Sequence, residues 1–312
     1  MEMLETIFGI NTFAAAVRVS TPIVLASLGG MLSERAGIIN IALEGKILIG
    51  AFFGVLGSYY TGNPYFGVLI GTLAGAFWGL MLAVLTVRFK ADHVVAGVGL
   101  NILAAGLTGW LLQVVWKVKG TSDSVVGIGK FAIPVLEKIP VLGKVLFNHS
   151  PIVYMMFIIV IVAWIVMYKM PIGVRIRVIG EHPAAADTLG INVIKIKYAC
   201  VIISGALAGL GGTYLSLGYL NWFSMNMSAG RGYMALAANV FGRWHPIGNF
   251  FASFLFAFTD SMQMRLQGVN SGIANEIIQS IPYIITIIVL ASAVKGARQP
   301  EALGKHYEIG GK

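Results

Sequence analysis

The chain has 312 residues; 57% are hydrophobic, only 11% are charged, and the mean hydropathy is +0.82. Soluble chains carry about 25% charged residues, so these values argue against a soluble enzyme and a disordered chain, and the lone Cys200 argues against a disulfide-built domain. The formal charge of +9, from 22 Lys and Arg against 13 Asp and Glu, bears on orientation and anionic lipid rather than on nucleic acid.

At about 20 apolar residues per crossing plus a loop, the length allows up to about ten crossings. The N-terminus, Met1-Glu-Met-Leu-Glu5, is acidic where a secretory signal would be basic, so the first apolar helix is expected to be retained. Apolar windows predict spans near 10–31, 38–60, 64–87, 93–116, 151–168, 198–220, 247–263 and 277–295. A further apolar stretch, Tyr233 to Gly242, is too short for one straight crossing. It either completes a crossing that starts near Met227 or forms a broken element buried in protein. Positive charge beside helix ends places 169–197 (Lys169, Arg175, Arg177, Lys195, Lys197) and the tail (Lys295, Arg298, Lys305, Lys312) in the cytoplasm. Three spans cannot join two points on one side, so 227–242 must supply a fourth. The expected fold is therefore all-α: one polytopic helical bundle over 1–312, with about nine crossings (eight to ten if an end helix is misread) and the N-terminus outside. Segment 117–150 then faces outside despite its five lysines.

Small residues recur at helical spacing, as in Gly71, Gly75 and Gly79, in Gly205 and Gly209, and in Ala208 and Gly212. Such spacing puts them on one face and lets backbones approach closely, so they are expected to pack helices. Polar groups at membrane depth are costly and must face protein or water. Arg18, Asn40, Glu44, Asn101, Asn239 and Asp260 are the candidates for a translocation path or for buried pairing, with Lys46, Gln113 and Gln263 beside them. On a helix, Asn40 and Glu44 share a face and Lys46 is rotated away; Arg18 is an expected partner of Glu44. Trp110, Trp116, Trp164, Trp222 and Trp244 lie near expected helix ends and read as interface anchors, while Trp222 and Phe223 could also stack on a cargo ring.

The segment between Lys169 and Lys197 is more specific. Pro183 suits a first helical position, Ala184, Ala185 and Ala186 favour helix, and Gly190 can end it in a left-handed conformation. A two-turn helix over 183–189 is predicted inside a basic loop, as a surface helix or a docking lever. No phosphate-binding loop, His-Glu-x-x-His or nucleophile elbow occurs, and the five histidines lack metal-site spacing, so no enzyme reading finds residues to carry it.

Five stretches, in this order, resemble the permease subunits of bacterial ABC importers for simple sugars and nucleosides, the nucleoside type most closely. They are Glu34-Arg-Ala-Gly-Ile-Ile-Asn-Ile-Ala-Leu-Glu-Gly45, Asp92-His-Val-Val-Ala-Gly-Val-Gly-Leu-Asn101, Val178-Ile-Gly-Glu-His-Pro-Ala-Ala-Ala-Asp-Thr-Leu-Gly-Ile-Asn192, Gly230-Arg-Gly-Tyr-Met-Ala-Leu-Ala237 and Phe241-Gly-Arg-Trp-His-Pro246. The resemblance covers about 12–295 and implies a multi-pass permease of the bacterial cytoplasmic membrane, not itself an enzyme. Its implied partners are a second permease, like or unlike itself, a cytoplasmic ATPase that uses ATP and Mg, and an extracytoplasmic substrate-binding lipoprotein. It also implies a coupling helix over Gly180, Glu181, His182, Pro183, Ala184, Ala185, Asp187 and Gly190; many relatives carry Asn where His182 stands. The cargo class it implies is a nucleoside or simple sugar. The competing readings are an ion-coupled secondary transporter working through Arg18, Glu44 or Asp260, and a scaffold membrane protein that carries nothing.

Overall fold

The computed structural model describes residues 9–132, 148–268 and 298–307, together with Ser280, Ile284 and Ile287. Apolar runs bounded by Pro, Gly and Asn set the helices. In chain order they are α1 (Ile10–Arg35), α2 (Leu43–Thr61), α3 (Pro64–Ala83, continued by a π-helical turn Val84–Arg88) and α4 (His93–Trp116). Next come α5 (Pro151–Lys169), α6 (Pro171–Glu181), α7 (Pro183–Thr188) and α8 (Val193–Thr213, continued by a π-helical segment Tyr214–Leu220). The described helices end with α9 (Arg231–Phe241) and α10 (Pro246–Gly268). Two residues of β1 (Phe131–Ala132) pair antiparallel with β2 (Asn148–His149). Starts and stops follow local chemistry. Asp92 caps α4 by accepting the Val94 and Val95 N–H groups, Asn192 caps α8 through Lys195 N–H, and proline opens α3, α5, α6 and α7.

Five of these helices, α1, α3, α4, α5 and α8 with their extensions, are long and apolar enough to cross a membrane. In α1, 83% of the most apolar window is inside the protein, against 28% in α5, so α1 is the central post and α5 a peripheral one. Hydrogen bonds define two ends of the bundle. At one, Arg265 Nη2 donates to Asn11 O, Ile128 N–H to Leu217 O and Ser122 N–H to Phe223 O. At the other, Arg35 Nε donates to Trp244 O, Ala302 N–H to Gly180 O and Gly304 N–H to Gly37 O. Gly268, which ends α10, and the 298–307 segment therefore lie toward opposite ends. The span expected at 277–295 falls outside the described residues.

The glycine spacing does what packing requires. A Cβ on Gly75 would lie 2.5 Å from Gly205 O and 2.6 Å from Gly209 Cα, so α3 and α8 meet backbone to backbone. The side facing away is open: nothing lies within 4 Å of a Cβ on Gly99 in α4. Gly75→Val is therefore expected to cost about 1–3 kcal/mol or more through overpacking, whereas Gly99→Ala should be neutral or slightly stabilising. Thermal unfolding of the two purified variants in one detergent checks the contrast; equal melting temperatures would refute the seam.

Two segments depart from the predicted spans. The span expected from residue 38 becomes helical only at Leu43, and 36–42 runs as buried irregular chain, with Gly37 at φ 86° and Asn40 fully buried. The crossing expected over 227–242 contains an 11-residue helix, α9, entered through non-helical 221–230 with Gly230 left-handed at φ 82°. Irregular backbone at this depth is tolerated where protein or a water-filled cavity satisfies it.

Candidate functional site

Both irregular segments end at one place, where two helices begin. The amino end of α2 is capped from α4: Asn101 Oδ1 accepts Gly45 N–H at 2.8 Å, while Asn101 Nδ2 donates to Ile41 O at 2.9 Å. The amino end of α9 is capped from α2: the Glu44 carboxylate accepts Gly230 N–H at 2.8 Å and Gly232 N–H at 2.7 Å. A helix start carries unpaired N–H groups and a partial positive charge, so one carboxylate shared by two amides is a strong arrangement. Gly232 is required here, because a Cβ would strike Glu44. Asn101 is the ninth residue of α4, so this junction sits about 12 Å in from that helix's start.

Tyr233 completes the junction. Its hydroxyl accepts from Asn101 Nδ2 at 3.3 Å, and its ring is half exposed. Down the same face of α9, Leu236 and Val240 line a cavity of about 410 Å³ with Ile39, Ile41, Glu34 and Trp244, and with Gln299 and Leu303 of the 298–307 segment. This volume is in the range of small-molecule sites, about 300–1,000 Å³. It lies toward the end defined by Gly37 and Trp244, where the 298–307 segment borders it. The wall is fixed by a buried network. Trp244 Nε1–H donates to Glu34 Oε2, and the Asn239 amide lies 3.0 Å from Ser27 Oγ and 2.6 Å from Asn249 Nδ2.

The predicted polar residues thus divide into separate places. Glu44 and Asn101 meet at the junction. Asn40 is not on a helix with Glu44; its amide holds Lys46 Nζ at 2.7 Å, Ser33 and Ser204, so Lys46 rather than Glu44 is its partner. Arg18 does not pair with Glu44, whose oxygens are taken by α9; it lies in electrostatic range of buried Tyr214 near the opposite end. Asp260 on α10 is in range of Arg231, the first residue of α9. Asn239 supports the cavity wall. Phe223 is fully buried, 5.1 Å from the Phe52 ring, and is not available for stacking. Trp244 is a buried hydrogen-bond donor rather than an interface anchor. Sequence reasoning missed Tyr233 as a site residue, although the Gly230-Arg-Gly-Tyr233 run carries the signal: glycines that free a helix start for a carboxylate.

At the Gly37 end, α6 and α7 form an elbow. Pro183 opens α7 and Gly190 ends it at φ 75°, as predicted. Ala186 is fully buried against Ile179 and Val193, while Ala184, Ala185 and Leu189 face outward. The 298–307 segment lies over this elbow: Tyr307 Oη donates to Asp187 Oδ2 at 2.7 Å, a bond that raises the phenol pKa. Nearby, the Val95 and Val94 amides hold the Asp92 carboxyl below its usual range.

Residues 12–290 match the family described as branched-chain amino acid transport system / permease component. The chain belongs to that permease family. It is 39% identical to the nucleoside ABC transporter permease protein NupC of Lactococcus lactis over 298 residues, covering 92% of this chain and 93% of that one. It is 40% identical to the guanosine ABC transporter permease protein NupQ of Bacillus subtilis, over 92% and 93% of the two chains. Its fold resembles a solved ABC transporter assigned to the metal-chelate type and captured facing inward, with a TM-score of 0.50, 12% identity, and 90% and 85% of the chains covered. The permease is thus a multi-pass membrane subunit and not itself an enzyme, and its family implies an ATPase and a substrate-binding protein as partners.

Proposed function

We propose that the permease forms half of the path of an ATP-driven nucleoside importer in the bacterial cytoplasmic membrane. The single observation that carries the path is the junction of two helix starts at Glu44, with the half-exposed Tyr233 ring beside it. Interrupted helices whose ends meet inside a bundle are where membrane transporters hold cargo. The lone pairs of the Glu44 carboxylate that the two amides leave over would accept ribose hydroxyls, and the Tyr233 ring would stack on the base. The likeness to nucleoside and guanosine permeases supports the cargo class.

In this reading the Gly37 end is cytoplasmic, the 117–150 segment is extracytoplasmic, and nine crossings leave the N-terminus outside. The elbow from Gly180 to Gly190 receives the ATPase, which binds ATP and Mg. A second permease supplies the other half of the path, and a lipoprotein delivers cargo from outside.

Reconstitution of the permease with its ATPase, partner permease and binding protein in liposomes tests this directly. ATP-dependent uptake of labelled guanosine or uridine is expected, with glucose a poor competitor. Stacking on an aromatic ring is worth about 1–3 kcal/mol per base, so Tyr233→Ala should lower uptake by about tenfold and Tyr233→Phe should retain most of it. Because Tyr233 is half exposed, neither should move the melting temperature. Uptake by the permease alone under an ion gradient would instead support a secondary transporter.

A further inference from the structure

Five basic side chains converge beneath the C-terminal segment. Lys90, His93, Lys197, Lys305 and His306 line one cavity of about 10 Å³, beside Tyr307. A space of about 10–15 Å³ accessible to a water-sized sphere holds one water or an ion of similar radius. Among the described residues two acids lie nearby. The Asp92 carboxylate accepts two amides of α4 at 2.9 Å each and lies in electrostatic range of His93 and His306, and Glu301 pairs with Lys305 at 3.1 Å on the exposed rim. Lys197 is the buried member, 4% exposed, and no acceptor among the described residues lies within hydrogen-bonding distance of its ammonium. Nζ lies beside Gly37, at the floor of the pocket, 3.5 Å from where a Cβ would stand.

A buried ammonium with no acceptor among the described residues is strongly disfavoured. The remaining donors are suited to supply an anion's shell. His93 Nδ1 accepts Ile39 N–H at 3.3 Å, which leaves the proton on Nε2. The His306 ring is 5.2 Å from the His93 ring, centroid to centroid, and comes from the C-terminal segment itself.

We infer that this pocket binds one small monovalent anion of about chloride's size, held by Lys197, His93 and His306 and roofed by the 298–307 segment. The site has a structural consequence. The same segment bonds Gly180, Asp187 and Gly37, so an anion that holds His306 also holds the elbow to the irregular 36–42 chain. Polyatomic oxyanions exceed the space.

Two measurements on the full chain test this. Crystals soaked in bromide should show an anomalous peak between Lys197, His93 and His306. In sodium gluconate buffer, adding chloride at constant ionic strength should raise the melting temperature saturably, and inorganic phosphate should not. Lys197→Met is expected to weaken the halide response at least tenfold, and His306→Phe, on the exposed rim, severalfold even if the first variant folds poorly. Lys305→Gln should leave the response intact, since its ammonium is met by Glu301. An absent bromide peak, or an equal halide response in both Lys197→Met and His306→Phe, overturns the site. A phosphate response lost in His306→Phe overturns the size class.

Discussion

Replacing Glu44 by leucine should nearly abolish uptake and also lower stability. The carboxylate accepts two backbone amides at the start of α9, and leucine accepts none. A hydrogen bond to a charged group contributes about 1.5–3 kcal/mol, and the two amides would be left unpaired in a part-buried place. A loss on the order of 3 kcal/mol is expected, read as a lower melting temperature, together with an uptake decrease of more than tenfold. Glutamine is the informative comparison. Its amide oxygen can keep one of the two bonds, but its NH2 group faces the other N–H, so about half of the stability loss should remain. If the carboxylate also meets cargo, uptake in Glu44→Gln should fall further than its melting temperature accounts for. Wild-type uptake and melting in both variants would remove Glu44 from the junction and from the path. Arg18 should be silent in this experiment: changing it in either background should have the same effect, because it does not share a bond with Glu44.

The parts of the fold that were legible in the sequence are those set by local chemistry. Charge-free apolar length marks α5, and Pro183 with Gly190 brackets α7. The three- and four-residue glycine spacing of α3 and α8 marks a seam whose purpose the Gly75 contacts explain. What stayed hidden depends on partners far along the chain. Residues 36–42 are apolar enough to read as helix, but Asn40 gives its amide to Lys46, Ser33 and Ser204, and Asn101 takes the Gly45 amide, so an early helix start would forfeit these bonds. On a helical wheel Lys46 is rotated away from Asn40, yet it is fully buried, because Asn40 meets it from a turn that no helical wheel represents. Trp244 reads as an interface anchor because it follows an apolar run, yet its N–H is needed by Glu34, 210 residues away. The candidate site itself was half legible. Glu44 and Asn101 stood out as costly polar groups, whereas Tyr233 became a site residue only once the chain broke at Gly230 and turned its ring toward Asn101.

The outward face of α7 should be where force enters the bundle, and a bulky side chain there should separate hydrolysis from transport. The helix has six residues, too few to be stable alone, and it is held from below by Ala186 against Ile179 and Val193. Its upper face, Ala184, Ala185 and Leu189, is exposed among the described residues, and Leu189, 76% exposed, is open to a partner there. Ala185→Trp is expected to block close docking while leaving the fold intact: normal membrane insertion and melting, loss of ATPase co-purification, and uptake reduced by more than tenfold. Leu189→Ala removes the exposed apolar contact itself, and an interface anchor of that kind is worth about 2 kcal/mol or more, so the ATPase should bind roughly thirtyfold more weakly. Ala186→Trp is the necessary contrast. It lies one position away but points into the bundle, so it should lower the melting temperature and insertion before any coupling can be assessed. If Ala185→Trp and Leu189→Ala both keep the ATPase and full uptake, the docking surface lies elsewhere on the Gly37 end. If Ala185→Trp behaves like Ala186→Trp, the outward face is packed by a neighbour in the assembled permease, and α7 is an internal strut rather than the point of coupling.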